Sequence, residues 1–585
     1  YSCVSISPFH HRLQASSPFG VRFHCATLYL AVHAFHGGDR GRALFDRSFT
    51  IMDFGPRMAR KRGMASGGGG DITVHVELLA RSLMRKQEGA AAEEQHRATA
   101  SSHRLSRVPV HLRDNNYNDY TPGFVAIGPL HNREDRRLRP AERLKVAYLN
   151  GLISRGHPDP AHHLVVIQDY VRIVAAREQE ARAMYVSDEL ADISADDFIQ
   201  MMVLDGCFII EHLINVATGR DEPSLHATPF GPAQLSVDLV LAENQIPFFV
   251  LVDLIAASRL PEFEATGYPP PVLIVKLVLF YLAGEKGRDM SEDALPAADG
   301  ISHILHLLYE MVTAARTRWE PPPRAIQDGA VMETAQEVAR LLRRVPLLLF
   351  VPLLYPILPE DKKWSASYGK EDVPSASDLK RMGVQFKKAR GGSGSKPVVG
   401  IASVLGPVPF AVKLTQHEDR LHLPQLRIEF RTAPLLLNLM AFEQSYSSSA
   451  STTATTTEAQ TVVSAYASFM AKMVQSAEDA GVLSAAEVVQ QQGGAGNESK
   501  EEVARFFRKM GAASEAAGGE LLLEKSYLGR LLEKLRERSR HPLYVMWADV
   551  QRNYFTLPWA VVVEFVAVVT FVSSMVQTYT SVKYH

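Results

Sequence analysis

The sequence predicts a mainly α-helical body with a small antiparallel β-sheet (α+β) and a single C-terminal transmembrane helix. Three observations carry that reading. Long apolar stretches such as "MMVLDGCFIIEHL" and "DLVLAENQIPFFVLVDLI" have helical length and spacing. Short alternating runs such as "LRIEF" are confined to 398–430. "WAVVVEFVAVVTFVSSMVQT", Trp559 to Thr578, is twenty residues with one charge, Glu564, about the length that crosses ~30 Å of hydrocarbon.

Composition bounds the rest. The chain has 585 residues, 46 % hydrophobic and 22 % charged, with a formal net charge of -1. No basic excess points to nucleic acid, and no acidic excess to a solvating tail. Cys3, Cys25 and Cys207 form no CxxC pair and no disulfide framework, which fits a body folded in a reducing compartment.

Taken in order, residues 1–63 read as a non-native or disordered extension. They have no sustained period and poor secretory-signal character, and Met64 is the expected native start. Residues 64–104 read as a flexible lead with a short helix. Residues 105–555 form the body. A helix is expected from Pro140, with Leu144, Tyr148, Leu149 and Leu152 on one face, and another from about Ala161 to Tyr185. Ser194, followed by acids, is an N-cap for a central helix that is apolar almost all round after Phe198.

"LAENQIPFFVLVDLI" (Leu241–Ile255) then sets Glu243, Asn244 and Gln245 before Pro247. Two helical pieces joined at a buried corner are expected. Asn244 is the N-cap, Pro247 the third helical position, and the triplet satisfies helix ends. On that reading Asn244→Ala costs about 1 kcal/mol. "PVLIVKLVLFYLAG" is too short and carries Lys276, and "RRVPLLLFVPLLYPILP" holds three prolines, so neither is a membrane span. Helices return with "TAPLLLNLMAFEQSY", a Ser/Thr-rich linker or helix lead-in follows at 447–461, and "GRLLEKLRERSRH" leads to a transmembrane helix at 556–580 and a short tail at 581–585. Arg530, Lys534, Arg536, Arg538 and Arg540 precede the span and only Lys583 follows it. The positive-inside rule therefore puts the body in the cytoplasm, at the plasma membrane or an endomembrane.

Reactive constellations are few. His303, His306 and Glu310 share a helix face and are zinc-ligand types; they define a metal-dependent hydrolase-like alternative. Asp205, Cys207, Glu211 and His212 lie close together, but the thiol sits among Phe208, Ile209 and Ile210 with acids nearby, which raises its pKa. There is no nucleophile elbow, P-loop or dinucleotide fingerprint. "ARGGSGSK" (Ala389–Lys396) lacks phosphate-loop spacing. No catalytic, metal or cofactor-binding residue is therefore assigned, and no nucleic acid or small-molecule substrate is expected. The expected partners are membrane lipid, through the C-terminal helix, and an unidentified protein. A third alternative is a soluble helical protein whose last helix packs into the core.

Several segments together resemble the plant domain-of-unknown-function 247 family. They are "VAIGPLHN" (Val125–Asn132), "RLKVAYLNGLISR" (Arg143–Arg155), "MMVLDGCFIIEHL" (Met201–Leu213), "DLVLAENQIPFFVLVDLI" (Asp238–Ile255), "PSASDLKRMGVQFKK" (Pro374–Lys388), "LHLPQLRIEF" (Leu421–Phe430), "LLLNLMAFEQ" (Leu435–Gln444) and the C-terminal segment from Leu557. They occur in the family's order over about Leu105 to Tyr584. The resemblance implies a land-plant protein with a helical body and a C-terminal membrane helix, without an established activity. Because some grass members are associated with pollen–stigma self-incompatibility, it also implies a recognition role. The family's Gly-Pro-aromatic-His-His-Gly turn reads Gly-Pro-Leu-His-Asn-Arg here (Gly128–Arg133), and Ser447 to Gly511 follows the family poorly.

Overall fold

The computed structural model describes Met84, residues 105–319 and 373–544 with short breaks, and 558–583. The chain divides into two compact units, Tyr1–Ala90 and Ala91–His585; apart from Met84, the described residues lie in the second. The readings of 1–63, of most of 64–104, of "RRVPLLLFVPLLYPILP" and of residues 450–460 in the Ser/Thr-rich stretch 447–461 fall outside the described residues.

Helices of eight residues or more are numbered in chain order. In the first half these are α1 (Arg139–Gly156), α2 (His163–Ala176), α3 (Ala195–Thr218), α4 (Gly231–Asp238), α5 (Phe248–Ala257), α6 (Pro270–Ala283) and α7 (Ile304–Arg318). Ser194 caps α3 as expected, its hydroxyl accepting from the Asp197 N–H, and Gly219 closes it at φ 65°. By length and composition α3 could cross a membrane, but 78 % of its most apolar window is buried. It is the central helix, with α1, α2, α5 and α6 packed around it. Gly206 permits the close approach of α5: a Cβ there would stand 2.4 Å from Leu254 Cδ1.

The expected long helix from Ala161 is broken. A 3-10 turn at Pro160–His162 precedes α2, and at Arg177 the backbone leaves helical geometry before a short helix at Glu178–Ala183. The Arg177 guanidinium lies over the Phe249 ring and bonds Asp253, so this break ties α2 to α5.

The second half contains α8 (Thr432–Ser449), α9 (Val462–Met473), α10 (Ala477–Ala485), α11 (Asn497–Ala516) and α12 (Gly529–Arg540), and the chain ends on α13 (Pro558–Lys583). Helices α8, α9 and α11 pack on one another, and α7 packs against both α6 and α8, joining the halves into one core.

The sheet differs from expectation. Strands β1 (Gln385–Lys388), β2 (Lys413–Leu414) and β3 (Arg420–Leu423) form one sheet, with β1 parallel to β3 and β2 antiparallel to it. Strands β4 (Leu426–Ile428) and β5 (Val489–Gln491) form a second, parallel pair. Helices α8 to α10 are the crossover that a parallel pair requires. Alternation in sequence reports that a strand has two unlike faces; it does not report its partner. The antiparallel expectation at 398–430 therefore holds for the β2–β3 pair; the rest is corrected to parallel pairing in two small sheets, with β1 and β5 outside those limits.

Candidate functional site

Residues 123–128, "GFVAIG", pass through the core without regular secondary structure. Their buried backbone groups need partners, and side chains from three helices and from the corner at Glu243–Pro247 supply them. From the end of α4, the Asp238 carboxylate accepts from the N–H groups of Gly123 (3.0 Å), Phe124 (2.7 Å) and Val125 (2.8 Å). Asn244 accepts from Ile127 N–H (2.6 Å) and donates to the carbonyls of Val125 (3.0 Å) and Asp238 (2.9 Å). Asp205, on α3, accepts from Gly128 N–H at 2.8 Å. Lys145, on α1, donates to the Ala126 carbonyl at 2.5 Å and pairs with Asp205 at 2.8 Å and Glu142 at 2.7 Å. The side chains of Lys145 and Asp205 are both fully buried.

Gly128 has φ 70°, and a Cβ there would meet the Gln245 carbonyl oxygen at 2.4 Å. Only glycine fits both the conformation and the approach. Gln245 extends the network. Its amide donates to the carbonyls of Leu239 and Leu241, its side-chain oxygen accepts from Leu305 N–H, and its carbonyl accepts from Tyr185 Oη. Glu243 accepts from Val108 N–H (2.8 Å) and lies within 3.7 Å of Arg107, Arg113 and His131. Burial raises the Glu243 carboxyl above its ordinary range, with the Val108 N–H and the two guanidiniums opposing. Burial, with Arg107 and Arg113 nearby, lowers His131 to about 4, so its ring is neutral at pH 7.

The polar triplet is thus a corner device, as expected, but by a different mechanism. Asn244 is not an N-cap. Helix α5 starts at Phe248, with Pro247 in the cap position (φ -58°, ψ 132°) and no side-chain cap. Ser302 O accepts from Phe248 N–H at 2.8 Å instead. Proline disfavours helical geometry in the residue before it, which delays the helix and releases Asn244 for the 125–127 segment.

The other candidates are also engaged structurally. His303 is the N-cap of α7, its Nδ1 accepting from His306 N–H, and His306 Nδ1 accepts from Ser302 N–H. Both rings pack on Phe442, and His306 Nε2 stands 3.6 Å from Glu310. Among the described residues, no group of three or more His, Cys, Asp and Glu is placed to hold a metal ion. Cys207 is fully buried, and desolvation followed by the nearby Glu211 charge drives its thiol pKa upward. Glu211 bonds the Arg155 guanidinium at 2.6 and 2.9 Å, and Arg155 also reaches Asn215 and Glu262. The structure therefore distributes Asp205, Cys207, Glu211 and His212 among separate neighbours. Of these, Asp205 alone joins the network around "GFVAIG".

Sequence reasoning passed over Lys145, Asp238 and Glu443. Lys145, one turn from Ala141 and Tyr148 on the buried stripe of α1, was the available signal. Glu443 is enclosed on α8, where it accepts from Val463 and Ser464 N–H (2.8 Å each) at the start of α9 and from Tyr309 Oη (3.1 Å). Desolvation raises its pKa to about 7, with those hydrogen bonds opposing. A raised carboxyl pKa favours the folded state when protonated. Roughly 3 kcal/mol of stability should be lost as pH rises from about 4.5 to about 7. Urea unfolding of Glu443→Gln across that window should show a correspondingly flatter profile than the wild type. Parallel profiles would mean that Glu443 titrates normally.

Two larger hollows lie outside this network. One of about 290 Å³ is walled by α7, residues 283–290 and the 398–409 segment. The other, about 620 Å³ and more open, lies around Phe263, Tyr268 and Lys276. The space beside Arg107 and His303 is about 30 Å³, room for about one water.

Residues 105–573 match the family model DUF247, described as a plant protein of unknown function. The UPF0481 protein At3g47200 of Arabidopsis thaliana is 24 % identical over 466 residues, covering 78 % of this chain and 81 % of the relative. The putative UPF0481 protein At3g02645 of the same plant is 22 % identical over 422 residues, covering 63 % and 73 %. No solved structure matches at a significant level. A family match running from Leu105 into α13 spans most of the chain, and this protein therefore belongs to the DUF247 family of plant proteins of unknown function.

Proposed function

We propose that this chain is a membrane-anchored recognition protein: α13 inserts in the bilayer, and the helical body binds a protein partner on the cytoplasmic side. The observation that carries the anchor is the exposure of α13. It has 26 residues, about 39 Å at about 1.5 Å per residue, more than the ~30 Å of a hydrocarbon core. Val566, Val569, Phe571, Val572, Met575 and Val576 are each more than half exposed. An apolar surface that extensive calls for a partner or a lipid phase. The helix extends to Lys583, three residues past the expected 580, with Tyr579 at interfacial depth.

The cytoplasmic orientation rests on the five basic residues before the span, of which Arg530, Lys534 and Arg540 are exposed. Arg536 pairs with Glu524, and Arg538 is buried against the Met382 carbonyl, so the charge facing a membrane surface is smaller than the sequence count. Recognition is favoured over catalysis because the carboxylates, imidazoles and thiol weighed as reactive groups are engaged in holding backbone or packed in the core. The metal-dependent alternative on His303, His306 and Glu310 gains no support from rings that cap α7. The link of some grass members to self-incompatibility is consistent with recognition.

Protease treatment of sealed membranes, with tags at both ends of the chain, tests the reading. The body-side tag should be digested and the short C-terminal tag protected, and alkaline carbonate should leave the chain in the membrane pellet. Release by carbonate would refute the anchor. Protection of the body would refute the orientation and shift the search to partners outside the cytosol.

A further inference from the structure

The hollow of about 290 Å³ is at the small end of ligand-sized pockets. A water occupies about 30 Å³ of liquid, so the space holds roughly ten heavy atoms. Its wall is apolar: Met290 follows α6, Met311 and Trp319 come from α7 and its end, and Ala402 and Val408 from the facing segment. Thioether side chains adapt to ligand shape, and an indole adds a rigid flat wall. Trp319 is fixed in place, its Nε1–H donating to the Arg390 carbonyl at 2.8 Å.

Among the described residues, one cation reaches this apolar space. Lys286 lines it and is partly buried, and its Nζ donates to the Pro407 carbonyl at 2.5 Å. No carboxylate among the described residues forms an ion pair with it. Burial lowers its pKa. An ammonium partly withdrawn from water without a counter-charge is costly, and an anion seated beside it removes that cost.

We propose that this cavity is a binding site for a small apolar carboxylic acid, with its body against Met290, Met311 and Trp319 and its carboxylate on Lys286. The chemistry selects among ligand classes. One ammonium suits a monoanion; a phosphate group calls for further guanidinium or N–H donors. The volume is too small for a long acyl chain. Neutral apolar molecules would leave Lys286 uncompensated. The site assigns the body a small-molecule input in addition to its proposed protein partner, and it does not depend on the membrane anchor.

The test uses the full chain in lipid nanodiscs and two probes of equal shape, 4-phenylbutyrate and its neutral amide, titrated calorimetrically. The acid should bind about tenfold or more tightly than the amide. Lys286→Met should abolish that preference, and Lys286→Arg should restore it. Ala402→Trp, which fills the hollow, should weaken both probes. Unfolding curves of each variant separate loss of binding from loss of structure. The proposal is overturned by equal affinity for acid and amide in the wild type, by no measurable binding of the acid, or by a preference that survives in folded Lys286→Met.

Discussion

Lys145→Met is expected to destabilise the folded body by about 4 kcal/mol. The ammonium is fully buried and bonds a backbone carbonyl, Ala126 O, together with Asp205 and Glu142. Methionine has similar volume and fills the space, so the cost is electrostatic rather than a cavity. It leaves the Asp205 carboxylate buried without its ammonium partner, its bond from Gly128 N–H retained, and removes the donor on Ala126 O. Breaking a buried ion pair on one side costs about 3–5 kcal/mol, because the surviving charge is uncompensated. The double variant Lys145→Met, Asp205→Asn removes that charge and keeps an acceptor for Gly128. It should therefore recover about half of the loss. Chemical unfolding of the detergent-solubilised chain, read by near-ultraviolet circular dichroism, measures both. A single-variant loss below about 1 kcal/mol, typical of an exposed pair, would show that Lys145 is hydrated. A double variant less stable than Lys145→Met would show that orphaned charge is not the cause.

That network also explains what was legible in the sequence. Helix positions were readable because 3.6-residue periodicity and caps are local: Ser194 before α3 and the apolar run after Phe198 define that helix without its surroundings. The corner at Glu243–Pro247 was readable as a place where polar groups enter the core. Their targets were not, because Asn244 bonds residues 117 and 119 positions earlier, and Asp238 reaches 113 to 115 positions back. No spacing rule spans such separations. The same limit applies to the sheets, where β4 pairs with β5 across three helices, and to the cavity beside Lys286, whose walls come from three separate stretches. His303 and His306 show the opposite failure. Their spacing was visible, but capping geometry, which sequence does not show, directs both Nδ1 atoms at backbone N–H groups.

The sharpest discrimination between the two readings of the corner is Asn244→Ala. A simple N-cap would lose about 1 kcal/mol. In the structure the same substitution strands three buried backbone groups: Ile127 N–H, Val125 O and Asp238 O. Each unsatisfied buried group costs about 1–3 kcal/mol, partly relieved by any water that enters. A loss of about 4 kcal/mol is therefore expected, well above that of Ser194→Ala, a true cap on α3, which should cost about 1 kcal/mol in the same assay. The loss should also spread. Residues 123–128 are held largely by side chains, so their amides should exchange with solvent faster in Asn244→Ala than in Ser194→Ala at matched distance from global unfolding. Equal stability losses in the two variants would mean that Asn244 acts only on its own helix end. Fast exchange confined to α5 would mean that "GFVAIG" is held in place by packing rather than by the polar side chains around it.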